Sequence, residues 1–393
     1  MRILYLTDVF FPRVNGVSTS IATFLRELEH RGHEVVVVAP EYRRPARSLE
    51  DRVRRVASRA VLGDPEDRWM KGSALRRTLR QVLEEGPVDL VHAQTPFVAH
   101  YAARRFARSH DLPLVVTYHT FFEDYLHHYL PLPQGLLKPF VRRISRLQAD
   151  DADRLIVPSS AVRDALLAYG TDTPVEVLPT GLRSSELAGG DGPRFRRRHG
   201  IPADQPMLLH VGRMAHEKNV GFLLRVFARI AAERSDVLLV LAGEGPAVPR
   251  LRREIRRLGL GEQVRFLGYL ERENELLNCY AAADLFLFAS RTETQGLVLL
   301  ESMALGTPVV STAVLGTRDV VRTGHGAVVV PEDEERFARE VLSLLADPLR
   351  RGRLSREAVA WAQEWSAGRM AERLLGVYRD VVGIEERARA VPA

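Results

Sequence analysis

The most specific grouping of reactive side chains in the sequence is ETQGLVLLE, where Glu293 and Glu301 stand eight positions apart around a glycine. A carboxylate accepts from two neighbouring hydroxyls at once, which suits a polyol such as a sugar. Gly296 frees a turn whose backbone NH groups can point at a ligand, and the apolar run LVLLESMALG that follows reads as a helix. The first carboxylate then sits on the loop and the second two turns along. On spacing alone, the same residues also fit a carboxylate complementing a helix N-terminus and a solvated helix residue.

Three other stretches carry candidate chemistry. In HVGRMAHEKN, Arg213 and Lys218 follow a strand and precede a helix. Two cations beside the positive end of a helix form a receptor for a diphosphate, and they would stabilise the charge that grows on such a group as it departs. In isolation RxxxxK is also an ordinary solvated surface pair. In DVFFPRVNGVSTS, Pro12 and the Asn15-Gly16 pair turn the first strand into the first helix, and Gly16 lets backbone approach a phosphate. The turn is neither a Walker loop nor GxGxxG, which argues against ATP hydrolysis and dinucleotide redox chemistry. In LVVTYHTFFEDYLHHYL, His119 ends a strand and a dense aromatic, acidic and histidine run follows. Such a run suits a sugar or acceptor pocket. Asp151 and Asp153 mimic a DxD metal motif but directly precede a strand, and with no other ligand cluster to support a metal they read as a strand boundary.

The elements that must position these residues follow an α/β pattern that occurs twice. RILYLTD, EVVVVAP, LVHAQ, PLVVTYH, RLIVPS and VEVLP read as strands in the first half; MLLHVGR, VLLVLAGEG, VRFLGYL, LFLFAS, PVVSTAV and GAVVVP do so in the second. Their continuous apolar runs imply burial on both faces, as in a parallel sheet wound by helices. Residues 183–200, rich in Gly and Arg, read as a linker or exposed segment. Two Rossmann-like domains are therefore expected, 1–182 and 183–365, with a C-terminal helix of about 366–393 packing back on the first. WAQEWSAGRMAERLLGVYRDVVG reads as one helical stretch with Met370, Leu374, Leu375 and Tyr378 on one side. Ligands in open α/β sheets bind beyond the carboxyl ends of the strands, so two facing sheets would give one cleft two such edges.

Composition sets the surroundings. The chain of 393 residues is 46% hydrophobic and 27% charged, ordinary globular usage, and too long for one core. The single Cys279 cannot form an internal disulfide, which fits a reducing cytosol. MRILYLTDVFF could pass for a signal peptide, but Asp8 interrupts it and it reads as the first buried strand. No apolar stretch approaches bilayer length. A cytoplasmic protein is expected, soluble or at most peripheral on the inner face of the membrane. The net charge of +6 resides wholly in residues 1–150, which carry 23 Lys and Arg against 17 Asp and Glu. Such an excess suits an anionic partner such as phosphates, nucleic acid or an acidic membrane, or simply reflects an Arg-rich genome composition. LLKPFVRRISRLQ concentrates it: Leu136, Leu137, Phe140, Val141, Ile144 and Leu147 recur at helical spacing beside Lys138, Arg142, Arg143 and Arg146. Such a helix can lie in an anionic headgroup region, or pack its apolar side on its own domain.

Taken in order, PRVNGV, YHT around His119, GRMAHEKN, GEGP at Gly243 to Pro246 and ETQGLVLLE resemble glycosyltransferase family 4, the large retaining GT-B group, over essentially the whole chain. The resemblance implies a hexosyltransferase and assigns roles. Gly16 would meet the distal phosphate, and Arg213 and Lys218 would bind the diphosphate and stabilise it as leaving group. Glu293 would hold donor-sugar hydroxyls together with backbone NH groups around Gln295, Gly296 and Leu297. Glu301 would accept from the ribose, Leu270 would meet the base through its main chain, and His119 would face the donor sugar. It further implies front-side displacement with no cofactor and no metal required for the chemistry. YHTFFEDYLHHYL and PTG at Pro179 to Gly181 are similar to bacterial enzymes that glucosylate diacylglycerol, so Tyr118, Phe122, Glu123, Asp124 and Tyr125 are expected at the acceptor. Arg272, following the base-contact segment, favours a UDP-sugar. The partners expected are a nucleotide sugar and an anionic membrane with its lipid acceptor, and not nucleic acid. The alternative is a GDP-mannose-dependent or other family 4 transferase acting on phosphoinositol or a cell-envelope saccharide.

Overall fold

The computed structural model describes residues 1–42, 49–61, 64–119, 134–183, 189–271 and 275–390. They divide into two compact units, Met1–Gly181 with Ala367–Ala393, and Leu182–Ser366. The first unit is built on nine strands: β1 (Arg2–Leu6), β2 (Glu34–Pro40), β3 (Val53–Val56), β4 (Ser58–Val61), β5 (Asp64–Met70), β6 (Leu90–Ala93), β7 (Leu114–Thr117), β8 (Arg154–Val157) and β9 (Val175–Val177). Seven form a parallel sheet in the order β3-β2-β1-β6-β7-β8-β9, and β4 and β5 pair as a separate antiparallel ribbon. All residues of β2 after Glu34 are buried, because helices cover both faces of the sheet.

One covering element comes from the far end of the chain. The helix Ala367–Ala390 places Met370, Ala371, Leu374, Leu375, Tyr378 and Val381 in one core with Ile3 and Tyr5 of β1 and Phe24, Leu25 and Leu28 of the helix Gly16–His30. Burying each large apolar side chain there stabilises by roughly 1.5–3 kcal/mol.

The second unit holds β10 (Met207–Val211), β11 (Leu238–Ala242), β12 (Val264–Gly268), β13 (Leu285–Phe288), β14 (Val309–Ser311) and β15 (Ala327–Val329), in the order β12-β11-β10-β13-β14-β15. All of its pairings are parallel. In each sheet the strand order reverses once, between β1 and β6 and between β10 and β13. A parallel sheet opens a crevice beyond its carboxyl ends at such a point.

The structure departs from the sequence reading in three places. β3, at the edge of its sheet, and the separate β4–β5 ribbon escape the apolar pattern because they are studded with Arg, Asp and Glu. The Gly- and Arg-rich stretch after residue 188 is a packed part of the second unit rather than an exposed linker. Asp191 caps a helix, Gly192–Arg198, and Phe195 is buried. Gly192 is required there, since a Cβ would stand 2.4 Å from the carbonyl oxygen of Ala281. Finally, the C-terminal stretch is two helices. Pro348–Gln363 ends just before Glu364, and Trp361 and Trp365 pack in the second unit while Met370 and Leu374 pack in the first.

Candidate active site

In the second unit the loops after β10 and β13 flank the strand-order reversal. The β10 loop, Gly212 to Asn219, carries Arg213 and Lys218 and closes in a short 3-10 turn, His216–Lys218, before the helix Val220–Glu233. The β13 loop carries Glu293 and ends at Gly296, where the helix Leu297–Ala304 begins. Backbone hydrogen bonds tie this framework together: Arg291 donates to the Glu217 carbonyl at 3.1 Å and Gly316 to that of Glu293 at 3.0 Å. Gly296 has φ +89°, and a Cβ there would come within 2.8 Å of Leu299 Cδ1, so both conformation and packing require glycine. The first NH groups of the helix have no intrahelical acceptor, which directs a positive edge toward the mouth of the loop.

GEGP has a tertiary reason. A Cβ on Gly243 would lie 2.0 Å from the Gly212 carbonyl oxygen, and one on Gly245 would lie 2.4 Å from that of Met214. The β11 loop therefore lies backbone to backbone against the β10 loop, with Met214 donating to the Glu244 carbonyl at 2.9 Å. Arg213 is held between these contacts with its side chain exposed.

Of the residues singled out, Lys218 and Glu293 meet: Lys218 Nζ donates to Glu293 Oε2 in an ion pair whose side chains are 16% and 22% exposed. Glu301 is no solvated helix residue. It is buried and accepts a hydrogen bond from the Tyr280 hydroxyl at 3.0 Å. Gln295 is buried, and Leu297 and Leu270 are half-buried against the same core. Sequence reasoning passed over Tyr280 and His210. His210 Nδ1–H donates to the Leu287 carbonyl at 3.0 Å, its ring stacks near Phe286 and Phe288, and its Nε2 is buried without a partner among the described residues. Desolvation holds its pKa down at about 4, with the Lys218 charge acting in the same direction. Only its place beside the GR pair could have flagged it.

In the first unit, Asn15 caps the helix Gly16–His30 reciprocally with Ser18, both hydrogen bonds at 2.9 Å. Gly16 has an ordinary φ and a Cβ there would meet nothing within 4 Å, so neither strain nor packing demands glycine. Open space at the first turn of a helix is what an approaching anion requires. Asp8, at the end of β1, is buried and accepts from Thr95 Oγ1 at 2.7 Å and from the Ala99 NH at 3.1 Å. Burial pushes its carboxyl up to about 6 despite these bonds.

His119 follows β7. Its Nε2 lies 2.9 Å from Gln94 Oε1, and since an amide oxygen only accepts, the imidazole proton is on Nε2. Desolvation lowers its pKa to about 4, so the ring is neutral near pH 7. Tyr118 does not fit the expected acceptor role: it is buried in the core, and its hydroxyl bonds Ser145 at 2.9 Å. Phe122, Glu123, Asp124 and Tyr125, like Arg272, lie outside the described residues. Asp151 pairs with Arg104 at 2.9 Å and His100 at 3.2 Å, and Asp153 accepts from the Leu114 NH at 2.7 Å, so both are engaged within the fold.

The basic amphipathic stretch forms the helix Gln134–Ala149. Its expected apolar face is divided. Val141, Ser145, Gln148 and Ala149 are buried, whereas Phe140 and Leu147 are 61% and 57% exposed among Arg142, Arg143 and Arg146. Arg142 stacks over Tyr169, and Arg146 pairs with Asp150. Phe97 and Tyr101 are also exposed, and the Tyr101 hydroxyl is 3.3 Å from Gln148 Nε2, which places these rings beside the helix. No helix among the described residues is long and apolar enough to cross a membrane.

Two family models match the chain in tandem, Glycosyltransferase Family 4 over residues 14–186 and Glycosyl transferases group 1 over 191–361. The alpha-monoglucosyldiacylglycerol synthase of Streptococcus pneumoniae is 34% identical over 79% of this chain and 71% of its own. The chain belongs to glycosyltransferase family 4. A second relative of the enzyme, the GDP-mannose-dependent alpha-mannosyltransferase of Mycobacterium tuberculosis, is 30% identical over 98% of this chain and 97% of its own. The crystal structure of the HepE protein of Anabaena in complex with UDP superposes with a TM-score of 0.77 at 20% identity, over 97% of this chain and all of that one. The fold is thus GT-B, and the enzyme is a hexosyltransferase.

Proposed function

We propose that the enzyme transfers a hexosyl group, with retention, from a nucleotide diphosphate sugar onto a membrane glycerolipid such as diacylglycerol, and that the donor is a UDP-sugar. The Lys218–Glu293 pair at the helix opening of Gly296 carries the donor half of this reading. It puts a cation for a diphosphate and a carboxylate for sugar hydroxyls in one place. Arg213 adds a second cation, Gly16 an unobstructed helix turn for the distal phosphate, and Glu301 a buried acceptor for the ribose. In this reading the anomeric carbon–phosphate oxygen bond breaks with its electron pair leaving on the diphosphate. The acceptor oxygen bonds to the same face of the sugar, and its proton passes to the departing phosphate. Neutral His119 orients the sugar, and Arg213 and Lys218 stabilise the leaving group without a metal or other cofactor.

The lipid half is supported by Phe140 and Leu147 standing exposed among arginines, a surface that suits an anionic bilayer, and by the diacylglycerol named for the pneumococcal relative. Calorimetry with UDP and GDP, followed by turnover with diacylglycerol in vesicles and with soluble phosphopolyols, tests both halves. UDP binding and lipid-dependent turnover are expected. Preferential GDP binding with transfer to a soluble acceptor overturns the reading in favour of the mannosyltransferase alternative.

A further inference from the structure

Beneath His119 lies a buried polar chain that the chemistry above does not use. Tyr5 of β1 and His92 of β6 are register partners on neighbouring strands, and Tyr378 from the last helix reaches both. The Tyr5 and Tyr378 hydroxyls are 2.8 Å apart, Tyr378 Oη is 2.6 Å from His92 Nδ1, and His92 Nε2 is 2.7 Å from Thr117 Oγ1. Tyr5 and Tyr378 are wholly buried and His92 nearly so. Thr117 ends the strand that presents His119, and a recess in this domain is lined by Ser20, His92, Gln94, Thr117, His119 and Thr180 among others.

Proton counting fixes the direction of this chain. Burial holds His92 neutral, so it carries one ring proton. If Thr117 donated to Nε2, then Nδ1–H would donate to Tyr378, and either the Tyr5 or the Tyr378 proton would be buried without an acceptor among the described residues, at a cost of about 1–3 kcal/mol. In the opposite sense every buried donor is satisfied. Tyr5 donates to Tyr378, Tyr378 to Nδ1, and Nε2–H to Thr117 Oγ1. The Thr117 hydroxyl proton then has no place in the chain and is left for the recess that Thr117 and His119 both line.

We propose that Tyr378 is a positioning residue for glycosyl transfer: through His92 it fixes Thr117 as a hydrogen-bond donor at the strand end that carries His119. The last helix thereby helps set up the reacting edge of the first domain as well as covering its core. The inference rests on reading that edge as facing the donor sugar.

The test compares two single-hydroxyl deletions in the full-length enzyme, Tyr378→Phe and Tyr5→Phe, with Thr117→Val. The Tyr5 hydroxyl meets this chain through Tyr378, and the edge-to-face contact of its ring with His92 is kept by phenylalanine. Nitrogen-15 spectra of the wild type should show His92 protonated on Nε2; protonation on Nδ1 overturns the proposal. Turnover is read as donor hydrolysis, so the acceptor need not be known, and UDP affinity is read by calorimetry. Tyr378→Phe and Thr117→Val should each lower kcat about five- to tenfold with UDP affinity unchanged, as expected for one lost neutral hydrogen bond. Tyr5→Phe should leave kcat within twofold of wild type. Equal losses in the two tyrosine variants, or none in Tyr378→Phe, overturn it. The tautomer needs no turnover, so an error in the acceptor assignment leaves this result readable.

Discussion

On the proposed reading the Lys218–Glu293 pair serves both the folded state and the chemistry, and the two roles separate in a double-substitution cycle. With side chains 16% and 22% exposed, the pair is mostly removed from water. Breaking a fully buried ion pair costs about 3–5 kcal/mol, and discounting for the remaining solvent access leaves about 2 kcal/mol for Lys218→Met, which strands the carboxylate. Glu293→Gln costs less, because the amide oxygen still accepts from Lys218. Combining the two removes the stranded charge and should recover most of that stability. Turnover behaves differently. Each substitution removes a charge-assisted contact to the donor worth about 1.5–3 kcal/mol, or roughly one to two decades of rate, and combining them restores neither. Thermal unfolding of the four proteins with and without UDP, alongside initial rates at saturating donor, gives both quantities. A double variant that regains turnover together with stability would refute the reasoning, since the pair would then be structural only.

Glu301→Gln should weaken nucleotide affinity about tenfold with a smaller effect on kcat, read by calorimetry; an unchanged dissociation constant removes Glu301 from the donor site. Salt-sensitive binding to vesicles containing anionic lipid is expected from the exposed arginines and Phe140, and Arg142→Glu with Arg143→Glu should abolish it. Wild type that ignores such vesicles in low-salt sedimentation refutes the peripheral-membrane reading. Asp8 has its carboxyl raised to about 6, so between about 4 and 6 the folded state binds more protons than the unfolded and stability falls as pH rises. Asp8→Asn should therefore raise the unfolding temperature at pH 7.5 and bring no gain at pH 4; a loss at pH 7.5 contradicts that sign. Buried His119 and His210, both near 4, act oppositely, withdrawing stability as pH falls from about 6.5.

The sequence by itself determined the strands and much of the site's vocabulary. Runs such as EVVVVAP and VLLVLAGEG can only be buried on both faces, and the order of Gly16, His119, Arg213, Lys218, Glu293 and Glu301 carried the family. Those signals are local, set by apolar periodicity and by what each residue type can bond. Helical periodicity alone joined Trp361 to Tyr378, because a break at Glu364 to Ser366 leaves the spacing nearly in phase. The composition of residues 183–200 suggested a linker because the contact of Gly192 with Ala281 is invisible in one dimension. Tertiary structure alone decided that Tyr118 turns inward to Ser145, that GEGP exists to let two loops touch, and that Lys218 and Glu293 face each other. It also joined Tyr378 to His92 across 286 positions of chain. Burial makes that decision costly to undo, because each of these polar atoms has given up water and must find its partner wherever the fold delivers one.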